Sequence, residues 1–383
     1  MFDFEFATAG RVIFGAGKLN ELREQVEGRA ERLLLVRGRS SDAIPRVEEI
    51  LSAAGVQFIE FEVHGEPTVE MVRQGAKQAV DCDLVIGLGG GSVLDAGKAI
   101  AALATNGGDV LDYLEVIGRG QTLSRPPLPY IAIPTTAGTG TEVTRNAVIE
   151  SPGHGVKVSL RSPLLLPRLA LVDPELTYSL PPAVTASSGL DALTQLIEPF
   201  VSVKANPLTD AVCREGLRCA ARSLRRAYEN GADHRARQEM SLASLFSGLA
   251  LANAALGVAH GFAGPLGGML RAPHGAICAR LLPLVMEANL EALQARAPAH
   301  PALARYTEMA QILTGDAHAA AADGVRWVDG LVKALHIPSL SAYGLGSADI
   351  LPAVEKTMKA SSTRGNPISL TEAELAGILE RAM

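Results

Sequence analysis

The sequence predicts an α/β N-terminal half built on a parallel sheet, followed by an all-α helical C-terminal half, and three observations carry this. Up to about residue 180, short β-rich apolar runs alternate with amphipathic stretches, the pattern of parallel strands with helices on both faces. Beyond it the β-branched runs disappear, and Ala, Leu, Arg and Glu fill long segments of helical period. Pro181 and Pro182 stand at the change, and proline is tolerated only in the first turn of a helix. The expected domains are residues 1–180 and 181–383.

In order along the first half, RLLLVRG, VQFIEFEV, CDLVIGLGGG, YIAIPTT and LALVDPE read as strands. IPRVEEILSAAG and VEMVRQGAKQAV between them read as helices. In the second half ALTQLIEPFVS, TDAVCREGLRCAARSLRRAYEN and RQEMSLASLFSGLALANAAL have helical period. LALANAALGVAHGFAG reads as a further helical stretch, and PHGAICARLLP as the start of another. Neither an internal repeat nor a low-complexity tract is visible.

A chain of 383 residues is long enough for two sizeable cores. Hydrophobic residues at 48% against 20% charged exclude a disordered chain. No apolar run reaches membrane-spanning length, and the N-terminus has an early acid and no basic n-region, so neither a membrane partner nor a signal peptide is expected. The four cysteines show no CxxC spacing and read as unpaired buried thiols in a reducing cytoplasm. A soft-ligand role for Cys278, four residues after His274, is the alternative to that reading and is not the expected one. Net charge is −6, and the short basic clusters RSLRR and DHRARQE lack interleaved aromatics, so no nucleic-acid partner is expected.

Two glycine-rich loops point to a nucleotide. Strand CDLVIG runs into Gly89, Gly90, Gly91 and Ser92 and then a helix beginning near Val93. Backbone amides at such a turn, unshielded by side chains, bind pyrophosphate. The loop lies too far along the chain to be the GxGxxG turn of a first strand. Strand YIAIP ends in Thr135, Thr136, Gly138, Thr139, Gly140 and Thr141, small hydroxyls beside glycines that suit a nucleotide across the ends of parallel strands. Asp95 in the first motif and Thr144 at the end of the second are further candidates. After LLLV the chain has Arg37, Gly38, Arg39, Ser40 and Ser41, with no acid before Asp42. An acid there would repel the 2′-phosphate of NADP, whereas glycine leaves room and arginine or serine donates to it.

The second half carries candidate metal ligands. Asp191 and Gln195, four apart in GLDALTQLIEP, share a helix face. His260 and His274 follow on other helical stretches. A carboxylate and two imidazoles suit Fe²⁺ or Zn²⁺, and ligands from neighbouring helices make a site in a bundle core. His234, His300, His318 and His336 read as structural or exposed.

FGAGKLNELREQV, GGGSVLDAGKA, PTTAGTGTEVT, LVDPELTYSLPP, GLDALTQLIEP, AHGFAGPLGG and APHGAICARLLP, in this order over nearly the whole chain, resemble the iron-containing (group III) alcohol dehydrogenase family. The resemblance implies a Rossmann-like dinucleotide-binding domain and a helical domain, a dehydroquinate synthase-like arrangement with the active site in the cleft between them. It places Asp191, Gln195, His260 and His274 at the four metal positions, and Gly89, Gly90, Gly91, Ser92, Thr135, Thr136 and Lys157 at nucleotide positions. Two positions depart from the family pattern. Gln195 stands where histidine is usual, and an amide oxygen is the weaker donor. Gly264 stands where a further, non-ligand histidine is usual; His154 is a partial substitute or an exposed loop residue.

The expected activity is therefore NAD(P)- and metal-dependent alcohol oxidation or aldehyde reduction, with Asp191, His260 and His274 as the catalytic metal ligands. With aromatics at only 4%, Leu256, Leu266 and Phe262 are expected near a pocket for small or medium apolar alcohols. A homodimer is the default assembly. A metal-independent reductase, similar in fold to maleylacetate reductases, and a non-catalytic nucleotide-binding protein are the alternatives; the retained Asp191 and paired histidines argue against both.

Overall fold

The computed structural model describes residues 3–39, 42–270 and 272–383, so Ser40 and Ser41 of the expected phosphate-binding turn lie outside the described residues. The chain forms two compact units, one of Ala7–Leu180 and one of Pro181–Met383 with Met1–Phe6.

In the first unit, strands β1 (Val12–Phe14), β2 (Arg32–Arg37), β3 (Gln57–Glu62), β4 (Leu84–Gly89), β5 (Tyr130–Pro134) and β8 (Leu169–Val172) form one six-stranded sheet, ordered β1-β8-β5-β4-β2-β3. All its pairings are parallel. The apolar run of β2 explains the layering: Leu34 and Val36 join one apolar cluster, Leu33 and Leu35 another. Both faces of the sheet are thus covered, which is why its strands read as continuous apolar runs. Helices α1 (Leu22–Val26), α2 (Ala43–Ala53), α3 (Val69–Gln78), α4 (Gly91–Asn106) and α5 (Val110–Tyr113) complete the unit. The register pairs Arg37 with Leu88 and Gly89 with Pro134, so the loops after β2, β4 and β5 leave the sheet at one end.

Two strand features were not expected from the sequence. The three-residue β1 pairs with β8 at the sheet edge, too short for its period to show. Strands β6 (Asn146–Ser151) and β7 (Val156–Arg161) form an antiparallel hairpin.

The second unit is helical: α6 (Pro182–Val201), α7 (Pro207–Glu229), α8 (His234–Asn253), α9 (Val258–Met269), α10 (His274–Arg296), α11 (Ala302–Thr314), α12 (Ala321–Ala334), α13 (Ile350–Lys359) and α14 (Glu372–Ala382). Pro182 opens α6 at its first position. The continuous helix expected over LALANAALGVAHGFAG is instead broken between Asn253 and Val258, with a 96° bend. Distant residues make the break. The Val258 N–H donates to Asn366 Oδ1 (3.3 Å) and the Ala259 N–H to Glu198 Oε1 (2.8 Å), which caps a new helix. A β-carbon on Gly257 would come within 2.8 Å of Glu198 Oε1, so only glycine lets the turn close on that cap. Among the described residues no single helix is long and apolar enough to cross a membrane.

Candidate active site

The nucleotide candidates of the first unit converge on the loops after β4 and β5. Gly90 caps α4 in extended conformation without any side-chain cap, and the helix starts at Gly91, two residues earlier than expected. The two loops interlock: the Thr135 N–H donates to the Gly89 carbonyl (2.9 Å). A β-carbon on Gly89 would meet Val93 at 2.6 Å, one on Gly90 would meet Thr136 Cγ2 at 3.2 Å, and one on Gly91 would meet Thr139 Cγ2 at 2.7 Å. Gly38 joins them from the end of β2, where a β-carbon would make ordinary van der Waals contact with Val93 at 3.6 Å.

Arg37 is not free to meet a phosphate, because its guanidinium donates to Glu60 (2.5 Å) and Glu62 (2.9 Å) on β3. Arg39 is exposed beside it. Lys157 pairs with Glu66 (3.0 Å), and the Ser92 hydroxyl lies 3.5 Å from the same carboxylate. Glu66, which the sequence did not single out, thus ties two nucleotide candidates together.

Asp95 and Thr144 lie deeper, in a buried polar knot. Asp95 Oδ2 accepts from the Val148 N–H (3.0 Å), and Lys98 Nζ donates to Thr144 Oγ1 (2.8 Å), the Thr144 carbonyl (3.0 Å) and the Asn146 carbonyl (2.9 Å). These bonds fasten β6 to α4. Burial pushes the Asp95 carboxyl up to about 6 and the Glu142 carboxyl up to about 7, and it lowers the Lys98 ammonium to about 8.

In the second unit Asp191, His260, His274 and Cys278 bring one ligand atom each to within 4.8 Å of one another. Asp191 comes from α6, His260 from the first turn of α9, and His274 and Cys278 from the first two turns of α10. A β-carbon on Gly275 would lie 2.3 Å from the Ser187 carbonyl and 3.1 Å from Asp191 Cβ, so the glycine after His274 sets α10 directly on the backbone of α6. His260 Nε2 lies 3.5 Å from Asp191 Oδ1, and His274 Nε2 lies 4.0 Å from it. Asp191 and His260 are buried; the His274 side chain is 41% exposed and forms the open side of the group.

Glu198 was not expected and is central. Its Oε2 lies 2.6 Å from His260 Nδ1, while its Oε1 caps α9. A histidine held at one ring nitrogen by a carboxylate presents the other to a metal. Its signal was present in the sequence: Glu198 lies seven residues after Asp191 on the same helix face. Gln195 contacts the other oxygen of the aspartate. Its Nε2 is 3.2 Å from Asp191 Oδ2, and its Oε1 accepts from Ser247 Oγ (3.1 Å).

Two buried polar atoms have no hydrogen-bond partner here, Asp191 Oδ1 and His260 Nε2, and they face each other. Orphaned buried groups are costly, and a cation between them removes the cost, so these residues fit a divalent metal. Without one, the group holds protons. Despite burial, the Cys278, Glu198 and Asp191 groups raise the His260 imidazole well above its usual range. Burial opposes and Cys278 and Asp191 favour a similar rise for His274, to about 9. Asp191 is lowered, with its burial outweighed by the two histidines.

Gly264 has open space around its missing side chain. His154 is exposed on the hairpin turn, 2.8 Å from the Ser151 hydroxyl. Leu256, Phe262 and Leu266, expected to line a pocket, are buried, and Phe262 and Leu266 belong to the core packing α9 against α10 and α13. Their apolarity serves that core. All four cysteines are free and buried.

Residues 9–174 match the iron-containing alcohol dehydrogenase family, and residues 185–383 match the C-terminal domain of that Fe-containing family. Alcohol dehydrogenase 4 of Schizosaccharomyces pombe is 36% identical over 97% of this chain and 87% of its own length. The crystal structure of a 1,3-propanediol oxidoreductase superposes with a TM-score of 0.92 at 32% identity, covering 100% of both chains. Sulfoacetaldehyde reductase from Bifidobacterium kashiwanohense, solved in complex with NAD⁺, superposes with a TM-score of 0.87 at 26% identity over 99% of this chain and 98% of its own. The sequence resemblance is thereby confirmed, and the chain is a member of the iron-containing alcohol dehydrogenase family of oxidoreductases.

Proposed function

We propose that this protein interconverts small or medium alcohols and aldehydes with NAD(P) as hydride carrier and a divalent metal, Fe²⁺ or Zn²⁺. The unit Ala7–Leu180 would bind the dinucleotide, and the unit Pro181–Met383 the metal and substrate. The observation that carries this reading is the facing pair of partnerless buried atoms, Asp191 Oδ1 and His260 Nε2, beside His274.

A bound divalent ion supplies a Lewis acid for the substrate oxygen, and bound NAD(P) gives or takes the hydride. The residues do the rest. Asp191, His260 and His274 hold the ion, and Glu198 keeps the His260 Nε2 lone pair directed into the group. Gly89, Gly90 and Gly91 would admit a pyrophosphate to backbone amides, and Ser92, Thr135, Thr136, Thr139 and Lys157 would help to hold it. Gly38 and Arg39 leave room for a 2′-phosphate. With glycine at position 264, no side chain there would carry the alcohol proton. A homodimer in the cytoplasm is the setting we propose, and light scattering tests the assembly.

The test is a panel of alcohols and aldehydes assayed with NADH and NADPH, on metal-free protein and after adding Fe²⁺ or Zn²⁺. Activity restored by metal supports the reading. Full activity in metal-free protein would make it a metal-independent reductase.

A further inference from the structure

We infer that Cys278 is a metal ligand in this chain, so that the site is Asp191–His260–His274–Cys278, and that Gln195 is a positioning residue for Asp191. The inference rests on the reading that this group holds a divalent ion.

The two oxygens of Asp191 separate the candidates. Oδ1 is the partnerless oxygen, and it faces His260 Nε2 and His274 Nε2. Gln195 lies on the other oxygen, Oδ2, and its far end meets Ser247. Cys278 lies beside His274: its Sγ is 3.7 Å from His274 Nε2, the nitrogen that faces Oδ1, and it belongs to the group whose ligand atoms all lie within 4.8 Å. A tetrahedral site with metal–nitrogen or –oxygen distances of ~2.0 Å and one metal–sulfur distance of ~2.3 Å has ligand-to-ligand edges of roughly 3.3–3.5 Å. The separations of 3.5 and 3.7 Å are close to such edges, and the 4.0 Å pair and the rest of the group, within 4.8 Å, would contract around an ion. His274 and Cys278 are four apart on α10, hence on one face, and Cys278 is buried.

The chemistry follows from the ligand. A thiol must lose its proton to bind, so the ion displaces one proton from Cys278 to solvent and gains a second anionic ligand beside Asp191. A soft thiolate favours Zn²⁺ and Co²⁺ over Mn²⁺ and Fe²⁺ relative to an all-nitrogen and -oxygen set. The donor strength lost where glutamine replaces the family's histidine is thereby recovered from a different helix.

The experiment is Co²⁺ titration of metal-stripped protein followed by absorption spectroscopy, on wild type, Cys278→Ser, Cys278→Ala, Gln195→Ala and Asp191→Ala. Visible d–d bands report that the ion is bound, and a near-ultraviolet thiolate-to-cobalt charge-transfer band reports sulfur. Wild type and Gln195→Ala should show both. Both Cys278 variants should lose the charge-transfer band and bind Co²⁺ at least tenfold more weakly, more than the roughly 10–100-fold scale of outer partners in the Ala case. Thermal melts without metal check that they fold. Visible bands in wild type without charge transfer would leave the metal reading standing and overturn the role of Cys278. A charge-transfer band surviving in both Cys278 variants would do the same, by assigning the sulfur elsewhere. Wild type that binds no Co²⁺ would overturn the metal reading itself.

Discussion

Glu198 holds Nδ1 of His260 at 2.6 Å with one carboxylate oxygen and caps the helix that carries His260 with the other. One buried side chain thus sets both where α9 starts and which ring nitrogen faces Asp191. Glu198→Gln should keep part of the cap but weaken the imidazole as a donor, lowering Zn²⁺ or Fe²⁺ affinity by about 10–100-fold. Glu198→Ala should lower it further and cost helix stability of about 1 kcal/mol from the lost cap. Metal titration with a parallel thermal melt checks both, and unchanged affinity in the two variants would remove Glu198 from the site.

Gly275 is the residue that permits His274 to reach Asp191. A β-carbon there would sit 2.3 Å from the Ser187 backbone carbonyl, which cannot swing aside like a side chain. Gly275→Ala should push α10 off α6, destabilise the protein by about 1–3 kcal/mol and weaken metal binding with it. Gly264→Ala is the control: its side chain meets open space, and it should be neutral or stabilise by up to about 1 kcal/mol. Denaturant melts of the pair decide; equal stability would place α10 further from α6.

Gly38 has room for a side chain and no acid on its described neighbours Arg37 and Arg39. NADPH should be used at least as well as NADH, and Gly38→Asp should shift preference toward NADH by about 1–3 kcal/mol. The ratio of kcat/KM for the two cofactors measures this. A wild type that already prefers NADH by about 1.4 kcal/mol, a factor of ten, refutes it.

The polar knot around Lys98 should make stability depend on pH in a defined direction. Burial raises Glu142 from 4.5 to about 7, so the folded state holds that proton after the unfolded chain has lost it. Its contribution is present at low pH and is lost as pH rises through about 7. Asp95, raised to about 6, acts with the same sign. Lys98, lowered to about 8, adds the opposite slope above that pH. Gln at 142 imitates the protonated acid, so the stability of Glu142→Gln relative to wild type should grow between pH 5 and 8 by on the order of 1–3 kcal/mol. A difference that is flat across that range would mean the carboxyl titrates normally.

Local pattern alone made much of the molecule legible. Continuous apolar runs such as Leu33–Val36 announce strands buried on both faces, and helical period announces the second unit, because these signals depend on near neighbours in the chain. The order of motifs was enough for the family. The β6–β7 hairpin was not read, because short alternation on either side of Pro152–Gly155, beside a glycine turn, resembles a loop. What only the tertiary structure decided depends on residues far apart in sequence. The break before Val258 exists because Glu198 and Asn366 supply the caps, and a periodic sequence carries no mark of them. The sides of Asp191 were likewise invisible. Spacing puts Gln195 one turn away on the same helix face, and only the packing of α10 on α6 brings Cys278 and His274 to the group while Gln195 sits on Oδ2, the oxygen that already has a partner. Spacing along a helix selects a face, whereas the choice between two oxygens of one carboxylate is made by the helix packed against it.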